Sequence, residues 1–215
     1  MLTETTHFMT RYHEEDADFA TRFAALLEET YTEIQNSFKF PAASQKYHFV
    51  LCKDVDEFIE TTGKNKEEYQ DWMVGNSNFE SFTIAILSPR VVTDRSGEDM
   101  EKVAVHELVH MMFDDATQVS GDDVEPWIAE GIAILYAGQT DLNYISVSQC
   151  PKVADLIGFD NFVDNQGYDY AGIYVWYFIQ KYGFEKFLSV YGGECDWQSM
   201  LYEGFESEAI REFTI

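Results

Sequence analysis

Between positions 16 and 36 the apolar residues recur at steps of three and four. Phe19, Phe23, Leu26, Leu27, Tyr31 and Ile34 make one stripe, which predicts an amphipathic helix. His7 to Tyr12 alternates instead and predicts a short strand, and the apolar run Lys46 to Cys52 (KYHFVLC) predicts a buried one. Asp54 stands three residues before Glu57, a capping-box arrangement that opens a short helix around Phe58 and Ile59; Asn65 and Glu68 repeat it. Ser81 to Leu87 (SFTIAIL) reads as a strand closed by Pro89, with a turn over Asp94 to Gly97. From Glu98 a helix runs through MEKVAVHELVHMMF. A polar break, DDATQVSGDDVE, separates it from PWIAEGIAILYAG, where Pro126 opens the next helix and Gly138 stops it. Residues 170–182 predict an aromatic helix ending at Gly183, and short helices, including Glu206 to Phe213, fill the rest. Strands fall early and helices late, which predicts an α+β chain.

The length of 215 residues suits a single domain over 1–215, with residues 1–138 carrying the sheet and two functional helices and residues 139–215 a helical lobe. Charge changes the picture more than composition does. With 39 Asp+Glu against 14 Lys+Arg, the formal net charge is −25. Nucleic-acid binding needs a basic footprint, and this chain would repel phosphate. Anionic membrane surfaces are disfavoured for the same reason, so neutral or cationic partners are the easier ones. The first residues show neither a basic n-region nor an apolar h-region, and no stretch is long and apolar enough to span a bilayer. Three cysteines without a signal segment fit reduced thiols, so a cytoplasmic location is the expectation. Nothing in the sequence sets an oligomeric state.

The chemistry concentrates in His106-Glu107-Leu108-Val109-His110, an HExxH motif inside a predicted helix. Residues four apart stand above one another on one helix face, so both imidazoles can reach one metal ion. Glu107, one step round, can approach a water at that metal. Two imidazoles leave room for a third ligand and a water on zinc. Asp114, Asp115, Asp122, Asp123 and Glu125 lie nearest but fall in the polar break. Glu130 lies on the next helix, 19 residues after His110, and a rigid helix organises a ligand better than a loop does. Gly131 and Ala133 beside it would let two helices approach closely.

HELVH followed at this interval by WIAEGIA resembles the gluzincin metallopeptidases, zincin-fold enzymes of the peptidase-MA-like kind. The similarity extends over most of the chain. It includes the opening His7, Phe8, Tyr12, Asp16, Ala20, Leu27, Glu28 and Tyr31, and the later YAGIYVWYFIQKYG. The resemblance implies one Zn2+ per chain held by His106, His110 and Glu130, with Glu107 as general base in peptide-bond hydrolysis. It implies a small mixed sheet whose edge strand borders a cleft, the helical C-terminal part walling the other side. Two departures narrow it. Ile134 stands where thermolysin-like members carry an acid that supports a histidine, and the amine-binding GxMEN signature of the aminopeptidases is absent. The first leaves the histidine's support to come from elsewhere or from backbone; the second leans toward endopeptidase action or an unusual substrate.

The same resemblance places a tyrosine at the start of the late aromatic helix. Tyr170 is the first candidate for oxyanion stabilisation, followed by Tyr168 and Tyr174. It also makes the strand before the active-site helix the docking edge, so Phe82, Thr83, Ile84 and Ala85 are candidate substrate-binding residues, with Asn76, Ser77 and Asn78 as a mobile rim. A peptide or protein substrate is the expected partner. The alternative is a zincin-fold module that keeps zinc and binds peptides without cleaving them. The intact Glu107 argues against it, because a binder needs no base.

Overall fold

The structure, a computed structural model, describes residues 1–67 and 69–214. Glu68, half of the second expected capping box, lies outside the described residues. The chain divides into two compact units, Met1–Ala116 and Thr117–Ile215. Residues 117–138 fall in the second unit. The helix that carries Glu130 belongs with the C-terminal helices because its small residues pack there.

The first unit is built on a five-stranded mixed sheet. Its strands are β1 (Leu2–Glu4), β2 (Phe8–Arg11), β3 (Tyr47–Cys52), β4 (Gly75–Asn78) and β5 (Thr83–Leu87), in the order β1-β2-β3-β5-β4. β2, β3 and β5 run parallel, and β1 and β4 pair antiparallel at the two edges. Helix α1 (Ala17–Phe38) lays the expected stripe on the sheet: Phe23 meets Phe49, and Tyr31 meets Phe8 and Tyr47, ring edge to ring face. Helix α2 (Val55–Thr62) starts where the sequence placed it, with the Asp54 carboxylate accepting the Glu57 N–H at 2.9 Å. Helix α3 (Gly97–Thr117) packs Phe113 against Phe38 and Phe40. Its start is fixed by reciprocal bonds: the Ser96 N–H donates to Asp99 at 3.0 Å and the Asp99 N–H to Ser96 Oγ at 3.1 Å.

One polar cluster ties this unit together. Asp16, fully buried at the head of α1, accepts Arg90 Nε at 2.6 Å, Arg90 Nη2 at 3.1 Å and the Ser88 hydroxyl at 2.6 Å. Cys52, at the end of β3, is buried, and burial pushes its thiol up to about 12.

The second unit is helical. It holds α4 (Pro126–Tyr136), α5 (Phe159–Asp164), α6 (Gly167–Tyr182), α7 (Phe184–Tyr191) and α8 (Phe205–Phe213). α4 lies against α6 at two glycines. A Cβ on Gly131 would come within 2.6 Å of Val175 Cγ2 and 2.8 Å of the Ala171 carbonyl oxygen, and one on Gly172 within 3.0 Å of Ile134 Cγ2. The close helix approach expected beside Glu130 is thus present, and its partner is the aromatic helix. Among the described residues, no helix is long and apolar enough to cross a membrane. The whole is an α+β chain with eight α-helices among the described residues.

Candidate metal centre

Helix α3 carries the HExxH residues over the stretch where it is buried most completely, from Met100 to Asp114. His110 is buried, His106 half-buried, and Glu107 keeps only 9% of its surface. The one-turn spacing does what the sequence requires of it: His106 Nε2 and His110 Nε2 stand 3.0 Å apart. Glu130, half-buried on α4, completes the set. His106, His110 and Glu130 form the one group of three metal-ligating side chains found among the described residues, with their ligand atoms all within 4.8 Å of one another.

The donor set fits zinc. Four-coordinate zinc with bonds of ~2.0–2.1 Å sets its ligand atoms roughly 3.3 Å apart, and the imidazole pair is close to that spacing. Two neutral imidazoles and a carboxylate also leave a fourth position open. None of the nearer acids joins the imidazoles in such a group. Asp115 instead accepts the Tyr47 hydroxyl at 2.9 Å, and Glu125 accepts the Gly158 N–H at 3.2 Å. Burial, followed by the charge of Asp115, pushes the Tyr47 hydroxyl far above the usual phenol range, so it stays a donor.

The strand beside the motif differs from expectation. Thr83, Ile84 and Ala85 lie in β5, which pairs with β3 on one side and β4 on the other. Phe82 is in the turn before it, with a left-handed φ of 52°, stacked on Tyr47. The main chain of β5 is therefore engaged on both sides, and residues 82–85 present no free edge to a peptide. Asn76, Ser77 and Asn78, expected as a mobile rim, are strand residues: the hairpin through Phe79 and Phe82 folds β4 outside β5 and makes it the edge. The Leu87 N–H donates to the Val74 carbonyl at 2.9 Å, so Val74 and Leu87 are a hydrogen-bonded pair, and Gly75, opposite Ile86, is in the next, non-bonded pair. The N–H and C=O groups of Gly75 and Ser77 consequently turn to the open edge.

Gly75 also lies against α3. A Cβ there would be 2.7 Å from Val103 Cγ1, 2.8 Å from Glu107 Oε1 and 3.0 Å from Glu107 Cγ. No sequence signal marked this glycine, because its importance comes from a neighbour 32 positions away in the chain (107 − 75 = 32).

The candidate tyrosines are committed within the helical unit. Tyr170, buried, accepts the Ser146 N–H at 3.1 Å and donates to the Ser146 carbonyl at 3.4 Å. The Tyr174 hydroxyl donates to the Pro151 carbonyl at 2.8 Å, and Tyr168 packs edge-on against Phe162. The hydroxyls of Tyr170 and Tyr174 thus pin the loop over residues 146–151 to α6, which is a structural use of the residues named for oxyanion stabilisation.

No family model, curated protein or solved structure matches the chain.

Proposed function

We propose that the protein is a zinc-dependent peptidase in which His106, His110 and Glu130 hold the metal and Glu107 is the general base. The observation that carries this reading is the convergence of the two imidazoles and the Glu130 carboxylate within 4.8 Å, with the only other member of the motif's polar set, Glu107, next to them in sequence on the same helix. A zinc ion bound there would supply Lewis acidity, polarising a peptide carbonyl and lowering the pKa of water towards ~7. Glu107 accepts the proton of the attacking water and returns it to the leaving nitrogen. An extended peptide would add to β4 rather than β5, bonding to the main chain of Gly75 and Ser77. The edge lies beside Glu107, which brings a strand-bound substrate to the base.

Metal analysis and a peptide-library digest test the proposal together. One zinc per chain is expected, lost in His106→Ala and Glu130→Ala. Glu107→Gln should keep the zinc and lose about 10²–10⁴-fold in cleavage rate. Absence of zinc from the wild type sinks the metal centre. Zinc without cleavage of any library member replaces the hydrolase with a binding module.

A further inference from the structure

We propose that Gly75 is a positioning residue for Glu107: the missing side chain on the edge strand is what sets the carboxylate in its place. The inference rests on the reading of Glu107 as the general base, and it concerns a residue that no part of the metal motif contains. Gly75 belongs to a short polar strand, Gly-Asn-Ser-Asn, whose sequence gives no intrinsic reason for a glycine at its first position. Its φ is not in the left-handed region, so backbone freedom does not demand glycine either. What demands it is the wall of α3. Strand residues two apart share a face, and the register sets Gly75 beside Ile86 and Ser77 beside Ile84; at Gly75 that face meets Val103 and Glu107 of α3.

The contacts a Cβ would make differ in kind. Val103 Cγ1, at 2.7 Å, belongs to a branched side chain one helical turn before Glu107. Glu107 contributes two atoms, Oε1 at 2.8 Å and Cγ at 3.0 Å, so a methyl group would press on both the stem and the carboxylate. Separations under 3.0 Å cannot persist, and either α3 and β4 part or the glutamate swings away. A glutamate has three torsions and moves more easily than a helix packed against a sheet. The glycine therefore lets the edge strand approach the base closely while leaving the carboxylate where it is. Its open-edge N–H and C=O groups are at the same point of the strand, so the residue that would receive substrate is also the one that leaves room for the base.

The test is a set of variants measured in two ways. Urea melts of chelator-treated, metal-free protein compare wild type, Gly75→Ala, Glu107→Ala, Val103→Ala and the two double variants carrying Gly75→Ala. Gly75→Ala should lower the urea midpoint. That penalty should shrink when Glu107 is cut to alanine and persist in part when Val103 is. An unchanged penalty in the Glu107→Ala background, or one abolished wholly by Val103→Ala, overturns the inference, since the methyl would then meet only packing. Zinc-loaded protein gives the second readout. Gly75→Ala should bind one zinc as the wild type does, keep KM within about twofold, and lose kcat by about 10²-fold, the cost of misplacing a catalytic group by roughly an ångström. An unchanged kcat overturns it. A wild type that binds no zinc or cleaves nothing defeats the hydrolase reading instead, and the melts still decide whether Gly75 seats Glu107.

Discussion

Asp16 shows how much one buried carboxylate can do in so acidic a chain. Burial alone would raise its pKa, but the Arg90 guanidinium and the Ser88 hydroxyl outweigh that and hold it below its ordinary 3.8. A carboxyl depressed in the folded state contributes stability above its unfolded pKa and loses it as the pH falls through the folded value. Asp16→Asn should therefore cost about 1–3 kcal/mol near pH 7. In urea melts the gap between variant and wild type should stay constant from pH 7 to about pH 5 and narrow below pH 3.8. A gap that stays unchanged below pH 3.8 would mean that Asp16 acts through packing rather than charge. Tyr170 makes the complementary point. Its place at the head of an aromatic helix was readable, but its hydrogen bonds to Ser146 were not, because Ser146 reaches it through a loop that carries no periodic signal.

At the scale of elements, the crossing of α4 and α6 is held close by glycine. Alanine favours a helix interior over glycine by about 1 kcal/mol, so Gly131→Ala would stabilise an isolated α4. Against Val175 and the Ala171 carbonyl it should instead destabilise the protein by about 1–3 kcal/mol. A melt showing Gly131→Ala at or above wild-type stability would show that the helices can part without loss. This crossing was half legible: the small residues beside Glu130 announced a close neighbour, and nothing in their pattern named α6. The same division runs through the sheet. β3 and β5 were readable because they are apolar on one or both faces, and α1, α3 and α4 because their periodicity or caps are strong. β1 and β4 were not. Polar edge strands owe their conformation to pairing with a neighbour, and a Gly-Asn-Ser-Asn sequence taken alone reads as a turn. The error in β4 carried over to the substrate residues, since a strand mistaken for a rim left β5 looking like the edge. The closeness of His106 and His110 was legible because an i, i+4 pair on a long helix fixes its own geometry.

Across the whole molecule, charge and core lie on separate footings. The −25 formal charge comes from residues that mostly face solvent, where like charges repel weakly and salt screens them, while stability rests on two apolar cores, one built on the sheet and one on α6. The three thiols are distributed over these cores in a useful way. Cys150 and Cys195 are half-buried in the helical unit, and Cys52 is sealed in the sheet. A thiol held up to about 12 forms almost no thiolate near neutrality, and only the thiolate attacks a disulfide reagent. Titration with an aromatic disulfide should therefore release two equivalents of chromophore promptly from the folded protein. The third should appear only as fast as the strands part. Cys52 is in this sense a clock already wired into the sheet: its colour yield counts the openings of one core while the other is left unread.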